Sequence, residues 1–175
     1  LAAEKRRTLD KLAAELTAQR QKAAANLARD ITQNMATLGM GGGRFEVRIR
    51  PLADAAAGPD GADDIEFLVS ANPGQPPAPM SRVASGGELS RVMLALKGVL
   101  AASDRISVLV FDEIDANIGG RLGTVIGQKL RDLSRSGQAR QQVLCITHLP
   151  QIAAFADRHL RIAKQVEGSG AKRQT

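Results

Sequence analysis

Residues 108–113 read Val-Leu-Val-Phe-Asp-Glu, a short apolar run that ends in two acidic residues. A continuous apolar run of this length is typical of a strand that is buried on both faces of a parallel sheet. Open parallel sheets bind their ligands at the carboxyl ends of the strands. The stretch therefore predicts an α/β fold in which Asp112 and Glu113 lie at a ligand-binding edge.

The segments on either side of this run alternate between helical and strand patterns. Apolar residues keep helical spacing from residue 85 to about residue 102. Beyond it we predict a strand at 107–112, a helix near 120–135, a strand at 142–146, a short helix near 150–156 and a last strand near 159–163. Strands that alternate with helices at these lengths predict a mainly parallel sheet.

The N-terminal part of the chain has a different character. Residues 2–38 contain no Pro or Gly, and apolar residues recur every three or four positions, which predicts an amphipathic helix of about ten turns. This length favours a coiled-coil arm, and the alternative is a helix packed on its own domain. Glycines from residue 39 end the helix, and alternation in 45–50 predicts a strand with an antiparallel mate at 65–69. The proline-rich residues 72–79 predict an irregular surface loop.

The octet 84–91, Ala-Ser-Gly-Gly-Glu-Leu-Ser-Arg, precedes the central helix. Ser85 fits the N-cap, and Glu88 stands three residues later, as in a capping box. Gly86 and Gly87 weaken a first helical turn, and close approach of a phosphate to the backbone N–H groups is one reason to place them there. The alternative is a well-capped helix without a ligand.

The acidic pair and a histidine supply the candidate chemistry. Asp112 can hold Mg²⁺ through water, and Glu113 can orient or deprotonate an attacking water. A strand ending in these two residues also arises by chance. His148 follows the next strand by two residues, so it falls at the same sheet edge if the strands are parallel, where it can donate a hydrogen bond to a phosphate. A loop histidine is otherwise usually structural.

Composition limits the classes of function. The 175 residues carry a net charge of +6, one cysteine, no Trp or Tyr and only four Phe. No segment has the length of a membrane span, and a single cysteine excludes an internal disulfide, so we expect a soluble cytosolic protein. The charge favours polyanions bound through salt-sensitive phosphate contacts without base stacking, and a solvated basic surface is the alternative. The chain lacks an initiator Met and a G-x-x-x-x-G-K-[ST] phosphate loop, which suggests a fragment.

Taken together, these motifs resemble the ATP-binding-cassette superfamily, and in particular its SMC-like branch of DNA-repair ATPases. The similarity covers about residues 39–164, and the preceding helix matches a returning coiled-coil arm. The matching segments, in chain order, are residues 67–75, the signature motif at 84–91, the Walker B strand at 108–113, the D-loop at 115–120, and the switch histidine His148 within 147–151. Four family motifs in the family's order are a specific signal.

The resemblance implies a split nucleotide site that uses ATP and Mg²⁺. The Walker A loop would lie in an N-terminal head segment of the same protein, and two heads would form a homodimer around ATP. In the pocket of its own head, Asp112 would support Mg²⁺, Glu113 would activate water, and His148 would sense the γ-phosphate. The residues that would bind ATP in trans are Ser85, Gly86, Gly87 and Glu88, with Asp115 and Asn117 in the D-loop. Asn117 stands where the family pattern has glycine, and asparagine tolerates a left-handed backbone.

The resemblance also implies a division of the chain and a cellular role. Residues 1–38 would form the arm, 39–164 the C-terminal part of the head, and 165–175 a disordered tail. The complete protein would be an ATPase that acts on DNA in double-strand break repair and recombination, cytoplasmic and nucleoid-associated, with no membrane contact. This chain alone would be inactive for lack of Walker A. The alternatives are a non-catalytic interaction module and the ATPase subunit of a transporter.

Overall fold

The computed structural model describes residues 1–52, 57–83, 85–103, 106–136 and 141–163. The described elements, in chain order, are α1 (Ala2–Thr37), β1 (Arg44–Pro51), β2 (Asp63–Ser70), β3 (Ala78–Pro79), a 3-10 turn (Met80–Arg82), α2 (Gly86–Leu100), β4 (Val108–Phe111), α3 (Gly120–Arg135), β5 (Gln142–Cys145) and α4 (Pro150–Ala153). The α/β class predicted from the sequence is confirmed. The tail predicted at 165–175 lies outside the described residues.

The long helix α1 is solvent-exposed at its start and packed on the rest of the chain at its end. Residues 2–12 of the helix are exposed, whereas Ile31 and Met35 are fully buried in the main core. Leu9 and Leu12 are exposed apolar residues in the free part. The last turns of α1 therefore pack on the rest of the chain, and a coiled-coil arm stays a prediction for the exposed first turns.

A buried carboxylate joins α1 to the β1–β2 hairpin. The side chain of Asp63 is 4 % exposed and accepts hydrogen bonds from Arg20 Nη1 at 2.9 Å and from Thr17 Oγ1 at 2.8 Å. Arg20 also donates to the carbonyl of Asp60 at 2.7 Å. These bonds attach the middle of α1, at Thr17 and Arg20, to the hairpin. The hydrogen bonds from Arg20 and then from Thr17 lower the pKa of Asp63 below its ordinary value.

We expect Asp63→Asn to lower the midpoint of thermal unfolding at neutral pH, because it removes the charge that pairs with Arg20. A carboxyl pKa that is lower in the folded state stabilises the protein above the unfolded pKa, ~3.9, and that stabilisation is lost as the pH falls through the folded value. The difference between wild type and variant should therefore disappear in strong acid. Calorimetry across pH checks this, with the exposed neighbour Asp64→Asn as control. An equal effect of the two substitutions would contradict a stabilising role for the bonds of Asp63 with Arg20 and Thr17.

The two sheets differ in strand direction. β1 pairs with β2 antiparallel from Arg44↔Ser70 to Pro51↔Asp63, and β3 adds to the outer edge of β2. The sequence prediction of a hairpin is confirmed, and the proline-rich loop contributes only this two-residue edge strand. β4 and β5 are parallel, with Val108↔Gln142 and Phe111↔Cys145 in register. The parallel part of the described sheet structure is therefore this pair.

The helices cover one face of the parallel pair. Leu109 and Phe111 of β4 point into a core that also holds Val92 and Leu96 of α2 and Ile126 of α3. The opposite face carries apolar side chains that remain exposed: Val108, Val110, Leu144 and Ile146. The sequence pattern predicted a strand buried on both faces, and within the described residues only one face is covered.

The predicted strand near 159–163 is wrong. Residues 159–163 form neither helix nor strand, and Leu160 and Ile162 are 92 % and 96 % exposed. A strand needs hydrogen-bonding neighbours, and the described part of the chain supplies none to this segment. The helix predicted at 150–156 is shorter, because it ends at Ala153 and residues 154–155 form a turn.

Candidate functional site

The first turn of α2 begins as the octet predicted. Ser85 has an extended backbone, and its hydroxyl accepts a hydrogen bond from the N–H of Glu88 at 3.4 Å. This contact confirms Ser85 as the N-cap, which satisfies one of the backbone donors that a helix start leaves unpaired. Gly86 is exposed and Gly87 is buried.

The glycine pair lies directly against Glu113. A Cβ atom on Gly86 would overlap Oε2 of Glu113. A Cβ atom on Gly87 would lie 2.8 Å from the carbonyl oxygen of Glu113 and 2.8 Å from the Cβ of Ala116. The sequence suggested a phosphate as the reason for the two glycines. The structure adds a reason within the chain for Gly87, because a larger residue there would collide with the backbone of the turn after β4.

The two carboxylates at the end of β4 are exposed and adopt different conformations. Asp112 Oδ1 accepts the N–H of Glu113 at 2.8 Å, which turns its carboxylate back toward the chain. Glu113 has a left-handed backbone, with φ of 56°. For a residue other than glycine this conformation costs on the order of 1 kcal/mol and is found mostly where the surrounding structure imposes it.

Two side chains of α2 hold this turn in place. Ser90 Oγ donates to the carbonyl of Asp112 at 2.6 Å. Arg91 is buried, and its Nη1 donates to the carbonyls of Ile114 at 3.3 Å and Ala116 at 3.2 Å. Burial lowers the pKa of Arg91 from its ordinary value. The helix α2 and the turn after β4 are thus one hydrogen-bonded unit.

Asp115 connects the β4 turn to the segment after β5. Its side chain is 6 % exposed, and Oδ2 accepts from Thr147 Oγ1 at 2.5 Å and from the N–H of His148 at 2.9 Å. Oδ2 also lies 3.0 Å from Nδ1 of His148. Burial alone would raise the pKa of Asp115, but the hydrogen bonds from Thr147 and His148 outweigh it and lower that pKa.

The candidate site residues therefore fall into two linked groups. Ser85, Gly86, Gly87 and Glu88 form the start of α2 beside Glu113, and Asp112 precedes it. Asp115 and His148 form the second group, at the same edge of the parallel pair, as the strand direction predicted. Asn117 is exposed and has a left-handed backbone with φ of 59°, the conformation anticipated for asparagine at that position.

The sequence reasoning missed three residues that organise this site. Ser90 and Arg91 lie within the octet and Thr147 precedes His148, but the sequence prediction assigns no role to any of them. Arg91 carried a usable signal, since it falls on the same helical face as the apolar residues of α2, where an arginine is rarely unpaired. Nothing in the sequence distinguished Ser90 or Thr147 from other hydroxyl residues.

The donors present suit a magnesium ion held partly by water and by a ligand. No group of three or more His, Cys, Asp or Glu side chains capable of holding a metal occurs among the described residues. Asp112 is exposed and keeps one carboxylate oxygen outside the bond to Glu113. Mg²⁺ commonly takes one or two carboxylates and completes its shell with water and phosphate oxygens. The donor set fits that arrangement.

The sequence of this chain is similar to those of known DNA repair proteins. It is 45 % identical over 152 residues to the DNA repair protein RecN of Xylella fastidiosa, a match that covers 87 % of this chain and 27 % of the relative. RecN of Streptomyces coelicolor is 43 % identical over 174 residues, covering 94 % of the chain and 30 % of the relative. RecN of Treponema pallidum is 49 % identical over 135 residues, covering 75 % and 23 %. The chain is a RecN-family segment. It spans between about a quarter and a third of these RecN proteins.

Two solved structures are similar to this chain in fold. The Smc head domain with an extended coiled coil, bound to the C-terminal domain of ScpA, from Pyrococcus furiosus matches 79 % of this chain and 31 % of that chain, with a TM-score of 0.54 at 21 % identity. An SmcHead bound to the C-winged helix domain of ScpA matches 78 % of this chain and 38 % of that chain, with a TM-score of 0.52 at 19 % identity. No family model matches the sequence. None of the described helices is long and apolar enough to cross a membrane.

Proposed function

We propose that this RecN-family segment is the C-terminal part of an ATPase head that acts in DNA repair. The contact between the end of β4 and the start of α2 carries the proposal, because it brings the exposed carboxylate of Glu113 next to a helix N-terminus that favours phosphate. The relatives are DNA repair proteins, which supports the biological role.

In this proposal three residues of one head have separate roles in ATP hydrolysis. Asp112 holds Mg²⁺, partly through water, and the ion, when bound, neutralises charge on the phosphates of ATP. Glu113 orients the attacking water and accepts its proton. The ring of His148 is 76 % exposed and lies at the same sheet edge, where it can contact the terminal phosphate. These roles are the ones that the resemblance implied.

The start of α2 is proposed to bind the nucleotide of a second head in an ATP-bound homodimer. Gly86 is exposed and Ser85 is half-buried, so a phosphate can approach the first turn from outside the chain. Glu88, Asp115 and Asn117 would support this contact from the helix and from the adjoining turn. Asp115 would act indirectly, since its carboxylate is engaged by Thr147 and His148.

The exposed apolar face of β4 and β5 suits contact with a further head segment, the one that would carry the phosphate loop. Val110 of β4 is 62 % exposed, and Ile146, which directly follows β5, is 59 % exposed. Burial of apolar surface contributes about 25 cal/mol per Å², so an exposed apolar face of a sheet favours a partner. We propose that the N-terminal head segment covers this face and completes the sheet.

The division of the chain follows from the same proposal. Residues 1–38 are the root of a coiled-coil arm and residues 39–164 belong to the head, and the exposure of residues 2–12 of α1 supports this division. The net charge of +6 favours DNA as the polyanion, in double-strand break repair and recombination, in the cytoplasm at the nucleoid.

Nucleotide binding by two forms of the protein tests the split site. This chain alone is expected to bind ATP weakly or not at all, and the protein that includes the preceding segment is expected to bind and hydrolyse ATP. Val110→Lys should reduce association of the two segments when they are co-expressed, while Val125→Lys on the exposed side of α3 serves as the control. Micromolar ATP affinity of this chain alone would contradict the proposal and favour a self-contained site.

A further inference from the structure

Asp115 is the buried charged group whose contacts converge on His148. Within the described residues, its Oδ2 is the atom that contacts the imidazole, and the ring is otherwise 76 % exposed. Loop side chains with that exposure sample several rotamers unless something holds them. The carboxylate contacts the ring at Nδ1 and accepts the backbone N–H of the same residue, so it holds the ring relative to its own backbone.

The chemistry of the contact determines which nitrogen carries the proton. An ionised carboxylate only accepts hydrogen bonds. Nδ1 lies 3.0 Å from Oδ2, and a lone pair on Nδ1 would repel the carboxylate at this distance, so the contact favours a proton on Nδ1. The lowered pKa of Asp115 agrees with an ionised carboxylate at neutral pH. In a neutral ring Nε2 then bears the lone pair and faces outward.

We propose that Asp115 is a positioning residue that holds His148 in the Nδ1–H tautomer with Nε2 directed away from the chain. A carboxylate that fixes the tautomer and orientation of a functional histidine is a general device in enzyme sites. Thr147 supports the carboxylate, because its hydroxyl donates to the same oxygen and accepts the N–H of Leu149 at 3.0 Å.

This arrangement limits how His148 can meet a phosphate, a consequence that rests on the proposed function. A phosphate oxygen accepts only from an Nε2–H group, and in this tautomer that group exists only when the ring carries both protons. Asp115 supplies the opposite charge for that cation. Other titratable side chains at this edge include the carboxylates of Asp112 and Glu113 and the thiol of Cys145. Burial raises the pKa of that thiol to about 11.

Nuclear magnetic resonance of the ring nitrogens tests the tautomer in this chain directly. The chain has two histidines, and His159 is exposed, so it serves as an internal reference and His159→Asn assigns the signals. We expect the neutral ring of His148 to be protonated at Nδ1 in the wild type, and to shift toward the Nε2–H form, the usual preference of free imidazole side chains, in Asp115→Ala. A predominant Nε2–H form in the wild type overturns the proposal without any variant.

Two further variants keep the test decisive. If Asp115→Ala does not fold, Asp115→Asn removes the charge and should move the tautomer in the same direction. Thr147→Val keeps the carboxylate and should retain Nδ1–H, which separates the role of Asp115 from a general disturbance of the turn. An unchanged Nδ1–H tautomer in the folded Asp115 variant overturns the proposal.

A double-mutant cycle in the complete protein tests the connection to turnover. We expect His148→Ala to lower kcat by roughly 10²-fold, and Asp115→Ala by roughly 10-fold to 10²-fold with little change in KM. Because Asp115 acts through His148, the double variant should be no slower than His148→Ala alone. Losses that multiply overturn the positioning role. If the complete wild type does not hydrolyse ATP, the proposed function fails, and the ring signals still decide the tautomer.

Discussion

Glu113→Gln in the complete protein is expected to abolish ATP turnover, with a loss of roughly 10²-fold to 10⁴-fold, the range that a general base contributes. The amide keeps the shape of the carboxylate, so its contact with Gly86 and the left-handed turn at residue 113 should persist. Only the ability to accept a proton from water is removed. ATP binding should therefore remain. ATP-bound head dimers should last longer, because their dissociation would require hydrolysis.

Phosphate release, nucleotide binding and light scattering measure the three parts of this result. Glu15→Gln, an exposed carboxylate of α1 remote from β4, is the matched control and should leave all three unchanged. Turnover of the Glu113 variant close to the wild-type rate would contradict its assignment as the base. Loss of ATP binding together with turnover would indicate a positional role for Glu113 in place of a chemical one.

Gly87→Ala is expected to lower the free energy of unfolding of this chain by about 1–3 kcal/mol, the usual cost of forcing extra atoms into a packed interior. The new methyl group would lie 2.8 Å from the backbone oxygen of Glu113, which cannot move aside as a flexible side chain can. The turn would have to separate from α2. In the complete protein the same displacement should also reduce ATP turnover, because Glu113 belongs to that turn.

Gly98 offers a control in the same helix. A Cβ at this position would have no heavy atom within 4 Å, so Gly98→Ala should stabilise α2 by roughly 0.5–1 kcal/mol through its better helix propensity. Urea unfolding of the two variants measures the contrast. Equal stability of Gly87→Ala and Gly98→Ala would show that the close approach between α2 and the turn does not constrain residue 87.

Elements with a strong local pattern could be predicted from the sequence. The end of α1, the hairpin and the bounds of α2 and α3 agree with the prediction to within a few residues, because helical spacing, alternation and capping are written into adjacent residues. The segment 159–163 shows the limit. Its apolar residues resemble a strand, but a strand depends on hydrogen-bonding neighbours, which no local pattern specifies.

The site shows the same limit at the level of side chains. The motifs identified Asp112, Glu113 and His148, and the direction of β4 and β5 placed them at one edge. The contacts that organise them come from residues distant in sequence, such as Arg91 with Ile114 and Asp115 with Thr147. Such pairings depend on three-dimensional packing, so a single sequence contains no periodic signal for them.

The buried guanidinium of Arg91 bears on how two engaged heads would work together. It donates to the carbonyls of Ile114 and Ala116, in the turn that would lie beside the nucleotide of its own head in the proposed dimer. It also belongs to α2, whose first turn would face the nucleotide of the other head. In the proposed dimer, a displacement at one nucleotide would therefore be transmitted to the other through the bonds of Arg91 and Ser90 to this turn. On this basis, ATP turnover by the dimer should be cooperative, with a coupling free energy that depends on residue 91.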